Sequence, residues 1–261
     1  MHNVPGDPLL NDRATTEAIR ANLQAKYGLD KPVTTQYVIY LGNLVRGDLG
    51  ISFTQENREV NDIIRDHFPV SAILGILAVI FAAAGGVLWG ALTAIYRNRW
   101  PDYVIMFLVI LGISVPSFVV AAISQLLLVN VNDLFGTTVL PVAGWGTVLH
   151  MLVPAMVLGL GTMAYLTRLM RSSMLEIVSS DFVRTAKAKG VPPARIFAKH
   201  QLRNAILPVI TVLGPSIAAI TTGGFVVELV FAIPGLGRYF VQAVQQLDYT
   251  VIMGTTVFYG A

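Results

Sequence analysis

The chain has 261 residues, 54% of them hydrophobic and only 13% charged, with a mean hydropathy of +0.66. An ordinary soluble domain carries about twice that charged fraction, so the composition is not that of a soluble domain, and the absence of cysteine excludes disulfides, thiolate nucleophiles and cysteine-based metal sites together. A net charge of +3 and a pI near 9.2 would suit a nucleic-acid partner, but the charges are segregated: residues 1–68 hold seven Lys/Arg against nine Asp/Glu, and residues 168–203 hold eight against two.

In chain order, residues 1–68 form a polar segment. Thr15–Tyr27 reads as a short amphipathic helix, with Ala18, Ile19 and Leu23 near one face and Gly28 as its stop. Gln36–Val45 is a second helix candidate and Val60–His67 a third, leading into the apolar part. Met1-His2-Asn3-Val4 has neither a charged leader nor an apolar core, so a first spanning helix is expected to be missing ahead of this segment. Four runs then carry no Lys, Arg, Asp or Glu: Val70–Tyr96, Tyr103–Asn132, Leu134–Thr167 and Asn204–Val227. Each can hold the roughly 20 apolar residues that one span needs. Backbone in lipid must pair internally, and no alternating barrel pattern is present, so the spans are predicted to be helices. They are placed at about 69–95, 103–129, 148–169 and 205–231, with a partial fifth at 250–261, expected to be truncated. The fold class is therefore an all-α polytopic membrane protein. Basic residues collect on the cytoplasmic side, which puts 97–102 and 168–203 in the cytosol and 1–68, 131–146 and 233–249 outside. Two regions follow: an extracytoplasmic segment, 1–68, and a transmembrane domain, 69–261, with a cytoplasmic loop at 170–204.

Within the spans, Gly86 and Gly90 have the spacing that lets helices approach closely. Pro154, Gly159 and Gly161 loosen the third span, and Pro116 and Pro215 are placed to kink the second and fourth. These residues read either as packing and bending devices or as hinges of a gated pathway. Ser114, Ser117, Thr221 and Thr222 could line a polar conduit or make interhelical hydrogen bonds. Glu228, at the edge of an otherwise uncharged span, is a candidate pathway or gating residue; it is also placed to reach water or Arg238. Trp89, Tyr96, Trp100, Tyr103, Trp145 and Tyr239 read as interfacial anchors. His2, His67, His150 and His200 have no ligand spacing, and there is no phosphate loop, nucleophile elbow or HExxH sequence. No metal site, no nucleic-acid partner and no ATP hydrolysis are expected of this chain by itself.

Arg168–Pro208 is a basic island with its own helix signals. Ser180 can cap a helix whose first turn carries Asp181; Lys187 and Lys189 fall in its last turn, and Gly190 is placed to turn left-handed. Val191-Pro192-Pro193 then breaks the chain and starts a second short helix, Ala194 to about Asn204. Two helices on a rigid elbow suit a docking surface; the alternative is a basic juxtamembrane helix lying on anionic lipid.

The island, DFVRTAKAKGVPPARIFAKHQLRNAILP, resembles the cytoplasmic Glu-Ala-Ala loop of ATP-binding-cassette importer permeases. Arg184-Thr185-Ala186 stands at the Glu-Ala-Ala position, Gly190 at the glycine and Ile206-Leu207-Pro208 at the close. Arg in place of Glu is similar to the peptide-transport branch. Val4-Pro5-Gly6-Asp7-Pro8, Tyr27-Gly28-Leu29-Asp30-Lys31-Pro32 followed by Gln36-Tyr37, Arg46-Gly47-Asp48-Leu49-Gly50, the turn Phe231–Gly237 and Asp248-Tyr249 resemble elements of dipeptide/oligopeptide permeases in order and spacing. The resemblance is to the partner with the long external segment after its first span.

It implies a type I ABC importer transmembrane domain in a bacterial cell membrane, forming half of a peptide pathway by alternating access and performing no covalent chemistry. Implied partners are a second homologous permease, two cytosolic ATPases that hold ATP and magnesium, an external substrate-binding protein and membrane lipid. The implied coupling residues are Arg184, Ala186, Lys187, Gly190, Pro193, Arg195, Phe197 and Lys199; Pro234, Gly235 and Gly237 form the external turn. The same machine carrying a nickel chelate, glutathione or an opine is the nearest alternative. An ion-coupled secondary carrier would instead show ionisable residues deep in several spans, and only Glu228 comes close.

Overall fold

The computed structural model describes residues 31–55 and 58–261, and for Thr222 and Gly223 the backbone only. The helix expected at Thr15–Tyr27 and the elements at Val4–Pro8 and Tyr27–Asp30 lie outside the described residues. In chain order the helices are α1 (Val33–Val45), α2 (Val60–Ile95), α3 (Trp100–Ser114), α4 (Ser117–Phe135), α5 (Val148–Val178), α6 (Asp181–Ala188), α7 (Pro193–Arg195), a π-helix (Ile196–Leu202), α8 (Arg203–Ala205), α9 (Leu207–Gly223), α10 (Phe225–Val230), α11 (Leu236–Gln246) and α12 (Tyr249–Gly260). The protein is all-α; among the described residues the β pairing is a single isolated bridge, Ile51 with Glu59. The chain divides into two compact units, Ser71–Ile233 and the combination of Met1–Val70 with Pro234–Ala261.

In the unit Ser71–Ile233, α5 is the central helix, packed against α3, α4, α9 and α10. The contact between α2 and α5 depends on glycine. A Cβ on Gly86 would stand 2.6 Å from Leu166 Cβ, one on Gly90 2.5 Å from Met170 Cβ and 2.7 Å from the Thr167 carbonyl, and one on Gly159 2.5 Å from the Ala78 carbonyl. Two backbones this close leave no room for side chains, and dispersion between them replaces the hydrophobic drive that is absent in lipid. Leu166, Met170 and Met174 of α5 continue the seam with Ala91, Ala94, Ala205 and Val209.

By length and composition α2, α4 and α5 can each cross a membrane, and the segments Pro193–Ala205 and Leu207–Thr221, bent by 43°, count as a fourth if taken together. Two stretches expected to be single spans are interrupted. Residues 103–129 belong to α3 and α4, separated where Val115 is extended (φ −87°, ψ 123°) ahead of Pro116. Proline pushes the preceding residue out of the helical region and has no N–H to continue the ladder, so the chain breaks instead of kinking. Residues 205–231 are divided at Gly224 (ψ 10°), whose carbonyl accepts the Glu228 N–H at 2.8 Å. Pro215 is accommodated inside α9.

In the other unit, Val60, Ile63, Ile64, Leu236, Ala243 and Val251 form the core, with Leu49, Phe68 and Tyr239 against it. Asp248 ties this unit together. Its buried carboxylate caps α12 by accepting the Val251 N–H (3.2 Å) and also accepts the hydroxyls of Ser52, Thr54 (2.9 Å) and Thr250 (2.9 Å) and the backbone N–H of Phe53 (3.2 Å). A buried carboxylate demands such donors, and here they tie residues 52–54 to the start of α12.

The glycine seam makes a prediction. Gly90→Leu overpacks the α2–α5 contact and should cost about 1–3 kcal/mol, read as a lowered midpoint of thermal unfolding in detergent or nanodiscs. Gly214→Ala, where a Cβ meets nothing within 4 Å, should leave that midpoint unchanged or raise it.

Candidate functional site

The basic island folds as a closed helical hairpin. On α6, Val183 and Ala186 turn inward and pack on Ile196, with Ile177 and Val191 around them. The end of α6 is sealed by two backbone bonds, Gly190 N–H to the Lys187 carbonyl (3.0 Å) and Val191 N–H to the Ala186 carbonyl (3.2 Å), with Gly190 left-handed at φ +72°. This is a Schellman closure, with Val191 supplying the usual apolar contact. The Pro192 carbonyl accepts from Arg195 and Ile196, each at 3.0 Å, and starts the return. Two details differ from the sequence reading. Ser180 occupies the N-cap position, but its hydroxyl donates back to the Ile177 carbonyl at 2.6 Å and makes no cap bond to α6. The return is not a regular α-helix either: Ile196–Leu202 is π-helical. Its flanking dihedrals (−71°, −39° at Arg195; −58°, −39° at Arg203) stay in the α region, so residue propensities cannot distinguish the two forms.

Of the residues implied in coupling, Arg184, Lys187, Gly190, Pro193, Arg195 and Lys199 are exposed. Ala186 is buried inside the hairpin and supports it. Phe197 is half-buried, packed toward the α2–α5 seam and lining an apolar groove with Leu88, Ala91, Leu202 and Ile210. Arg184 lies 3.7 Å from Asp181, both exposed, a pairing of little energetic weight. Sequence reasoning passed over Phe182, a large apolar side chain exposed beside Arg184 on the same short helix; an aromatic among exposed cations was the available signal.

It also passed over a brace between the two basic regions. Asp102, almost wholly buried, accepts Arg171 Nε at 2.9 Å and Nη2 at 2.8 Å, and the Asn98 N–H at 3.0 Å. This two-point pair fastens the turn after α2 to α5 just ahead of the hairpin. Both groups lie outside the stretches read as spans, 103–129 and 148–169, and the Arg171 hydrogen bond holds the Asp102 carboxyl below the usual carboxylate range despite burial. A depressed carboxylate contributes stability that is present above its unfolded pKa, about 3.9, and is lost only as pH falls through the folded value. Mild acid therefore leaves the brace in place. The signal in the sequence was a lone Asp within a basic turn.

The remaining candidates are dispersed. Ser114 and Ser117 flank the Val115–Pro116 break and are exposed. Thr221 donates its hydroxyl to the Ile217 carbonyl at 2.8 Å and crosses α2 at Gly75, where a Cβ would meet Thr221 Cγ2 at 2.7 Å. The side chain of Thr222 lies outside the described residues. Glu228 does not reach water: it is 2% exposed, with Gly224 leaving room for its carboxylate. Gln125, a polar residue within an apolar run, fastens the end of α10 by donating to the carbonyls of Val230 (2.9 Å) and Val142 (3.2 Å). Pro234 and Gly235 lead into α11, Gly235 being extended (φ −91°, ψ 169°) at its N-cap, and Gly237 is buried in the first turn of that helix. No cluster of three His, Asp or Glu side chains suited to a metal occurs among the described residues.

Residues 86–261 match the family described as binding-protein-dependent transport system inner membrane component. The chain belongs to that family. The match includes the whole hairpin, both basic regions and Asp248. Among relatives, the dipeptide transport system permease protein DppB of Bacillus subtilis is 46% identical over 260 residues, 99% of this chain and 82% of that protein. The oligopeptide transport system permease protein OppB of Haemophilus influenzae is 43% identical over 263 residues, 100% of this chain and 84% of that protein. The fold is that of ABC importer membrane domains. The inward-facing MetNI methionine ABC transporter superposes with a TM-score of 0.56 at 15% identity, over 76% of this chain and 90% of that one. An amino acid ABC transporter with histidines gives 0.55 at 17% identity, over 76% and 86%. As a member of this family the chain is an inner-membrane component of a bacterial transporter.

For this permease the brace is a clear target. Asp102→Asn leaves Arg171 without its carboxylate and should destabilise the protein by about 3 kcal/mol, the usual cost of breaking a buried pair from one side. Asp102→Leu with Arg171→Met should recover most of the loss in the same unfolding measurement. A double variant as unstable as the single one would show that the pair is not the reason.

Proposed function

We propose that the chain is the permease subunit of an ATP-driven importer of di- and oligopeptides, forming half of the translocation pathway and catalysing no reaction itself. The observation that carries the substrate class is identity of 46% and 43%, across essentially the whole chain, to permeases named for dipeptide and oligopeptide transport. Neighbours at 15–17% identity support only the fold. These relatives favour a peptide substrate over the alternatives of nickel, glutathione or an opine, and a transporter subunit over an ion-coupled carrier.

The partners in this reading are a second homologous permease, two cytosolic ATPases that bind ATP with magnesium, and an external binding protein that meets the Pro234–Gly237 turn and the segment before α2. The α6–π-helix hairpin sits in a groove of one ATPase, presenting Phe182 as an apolar anchor with Arg184, Lys187, Arg195 and Lys199 around it. Taking a two-state pathway from 1:99 to 99:1 needs about 5.5 kcal/mol of differential interaction, and that difference enters the permease through the hairpin. Glu228, buried beside the Gly224 break, is proposed to act in gating.

The test uses the permease with its two ATPases, second permease and binding protein in proteoliposomes. Gly190→Pro forces φ from +72° to about −65° and removes an N–H of the closure. It should abolish peptide-stimulated ATP hydrolysis and uptake while the subunits still assemble. Glu228→Gln should slow uptake without reducing assembly. Normal transport in the first variant would refute the coupling role, and peptide flux through the permease without any ATPase would make it a carrier.

A further inference from the structure

The π-helix in the return of the hairpin aligns two side chains that an α-helix would separate. In an α-helix, residues five apart stand about 140° from each other around the axis. The i→i+5 register of a π-helix brings them close to one line, and such turns are frequent at functional sites. Phe197 and Leu202 are such a pair within Ile196–Leu202, and both face one apolar groove. Beyond Leu202 the register is α-helical again: the Ile206 N–H bonds to the Leu202 carbonyl at 3.0 Å, and the Ile210 N–H to the Ile206 carbonyl at 3.0 Å. Residues four apart then share a face. Phe197, Leu202, Ile206, Ile210 and Leu213 therefore make one unbroken apolar stripe along the groove.

The facing wall is α2, where Ala84, Leu88 and Ala91 recur at helical spacing and the alanines leave the space open. The groove has a volume of about 480 Å³ and no polar side chain lines it. Leu88 and Ile210 at its edges are more than half exposed. From Ala83 to Ala91 it runs about 12 Å by the rise of an α-helix, close to half of a hydrocarbon core about 30 Å thick. Charge enters only where the two walls leave the groove. Val70–Tyr96 and Asn204–Val227 hold no Lys, Arg, Asp or Glu, but for one exception: Arg203 directly precedes the second run and follows Leu202, and Arg97 and Arg99 follow the end of α2. These three arginines are exposed, and none forms an ion pair among the described residues. Trp89, Tyr96 and Trp100, exposed around the same end of α2, are residues suited to the level of lipid headgroups. A groove that is apolar along its length and positive at one end complements an anionic amphiphile. An apolar helix of a protein partner would match the stripe and leave Arg203 unanswered.

We propose that this groove binds one anionic phospholipid of the cytoplasmic leaflet, with an acyl chain along the stripe and the phosphate on the Arg203 guanidinium. Arginine meets phosphate with two parallel N–H donors, and cations beside a membrane surface are drawn to anionic lipid. So bound, the lipid fastens the returning limb of the hairpin to α2. The choice of leaflet rests on the cytosolic placement of the basic residues. The site itself does not, and neither depends on peptide import.

The test uses the assembled transporter in nanodiscs of phosphatidylcholine, where both leaflets are open to the probe. A trace of phosphatidylglycerol carrying a photoactivatable diazirine in one acyl chain is added, with phosphatidylcholine bearing the same chain as the neutral control, and labelled peptides are mapped by mass spectrometry. The anionic probe should label residues 84–91 and 206–213 about tenfold more than the neutral one, the scale of one charge-assisted contact. Arg203→Glu should remove that preference and Arg203→Lys should keep most of it. Ala84→Phe, which fills the groove, should lower labelling by both probes. Equal labelling by the two probes in the unsubstituted protein would overturn the proposal, and a preference that survives Arg203→Glu would overturn the phosphate contact. Absence of label from the groove would overturn the lipid as occupant; a cross-link from Leu88→Cys to the second permease would then make the occupant a protein. If Ala84→Phe fails to assemble, the comparison of the two probes on the unsubstituted protein still decides.

Discussion

The packing of Val183 and Ala186 on Ile196 turns a basic loop into a solid part. An eight-residue helix has too few internal hydrogen bonds to persist alone in water, and α6 carries mostly polar residues on its outer face. Burial of two β-branched side chains, Val183 and Ile196, worth about 1.5–3 kcal/mol each, holds it against the returning π-helix of the hairpin. The left-handed Gly190 seals its end, and Pro192-Pro193 remove the remaining freedom of the elbow. A surface built this way transmits displacement. The same residues without their apolar core would form a flexible basic tether, which absorbs it.

Beyond the hairpin the structure alternates rigid contacts with discrete breaks. Asp102 and Arg171 lock the neighbouring turn to α5, and the Gly86–Gly90 seam fixes α2 on α5 more closely than any larger residue would allow. The breaks lie elsewhere: Val115–Pro116 between α3 and α4, the 43° bend ahead of α9, and Gly224 between α9 and α10. Close-packed bodies joined at a few positions that absorb dihedral change are the physical requirement for hinge and shear motion. In the proposed mechanism the hairpin drives such bodies, and Glu228 beside the Gly224 break is set where a small rotation would change its surroundings.

The helical class and the family were legible in the sequence because each rests on long-range regularities. Four charge-free runs mark where the apolar helices lie, and five motifs in order specify a family more tightly than any one does. Gly190 was legible for a local reason: a glycine after a lysine-bearing last turn and before Val-Pro-Pro has few other uses. What was not legible depends on partners distant in the chain. Asp102 finds Arg171 sixty-nine residues on, and Asp248 gathers donors from residues 52–54; neither spacing leaves a periodic trace. The π-helix escaped because it differs from an α-helix in hydrogen-bond register and hardly at all in backbone dihedrals. Pro116 was read as a kink, and only the extended Val115 shows that the helix ends there.

The central claim is that work done by nucleotide hydrolysis on another subunit enters this chain through the hairpin on the inner face. The 261 residues contain no cysteine, so Phe182→Cys places one thiol among them as a handle for a short thiol-reactive cross-linker, used in a transporter whose other cysteines have been replaced. The account predicts a cross-link to an ATPase subunit whose yield changes between nucleotide-free and ATP-bound complexes, with no labelling by a membrane-impermeant reagent added outside. Labelling from outside, or a residue that cross-links to no ATPase in either state, would contradict it.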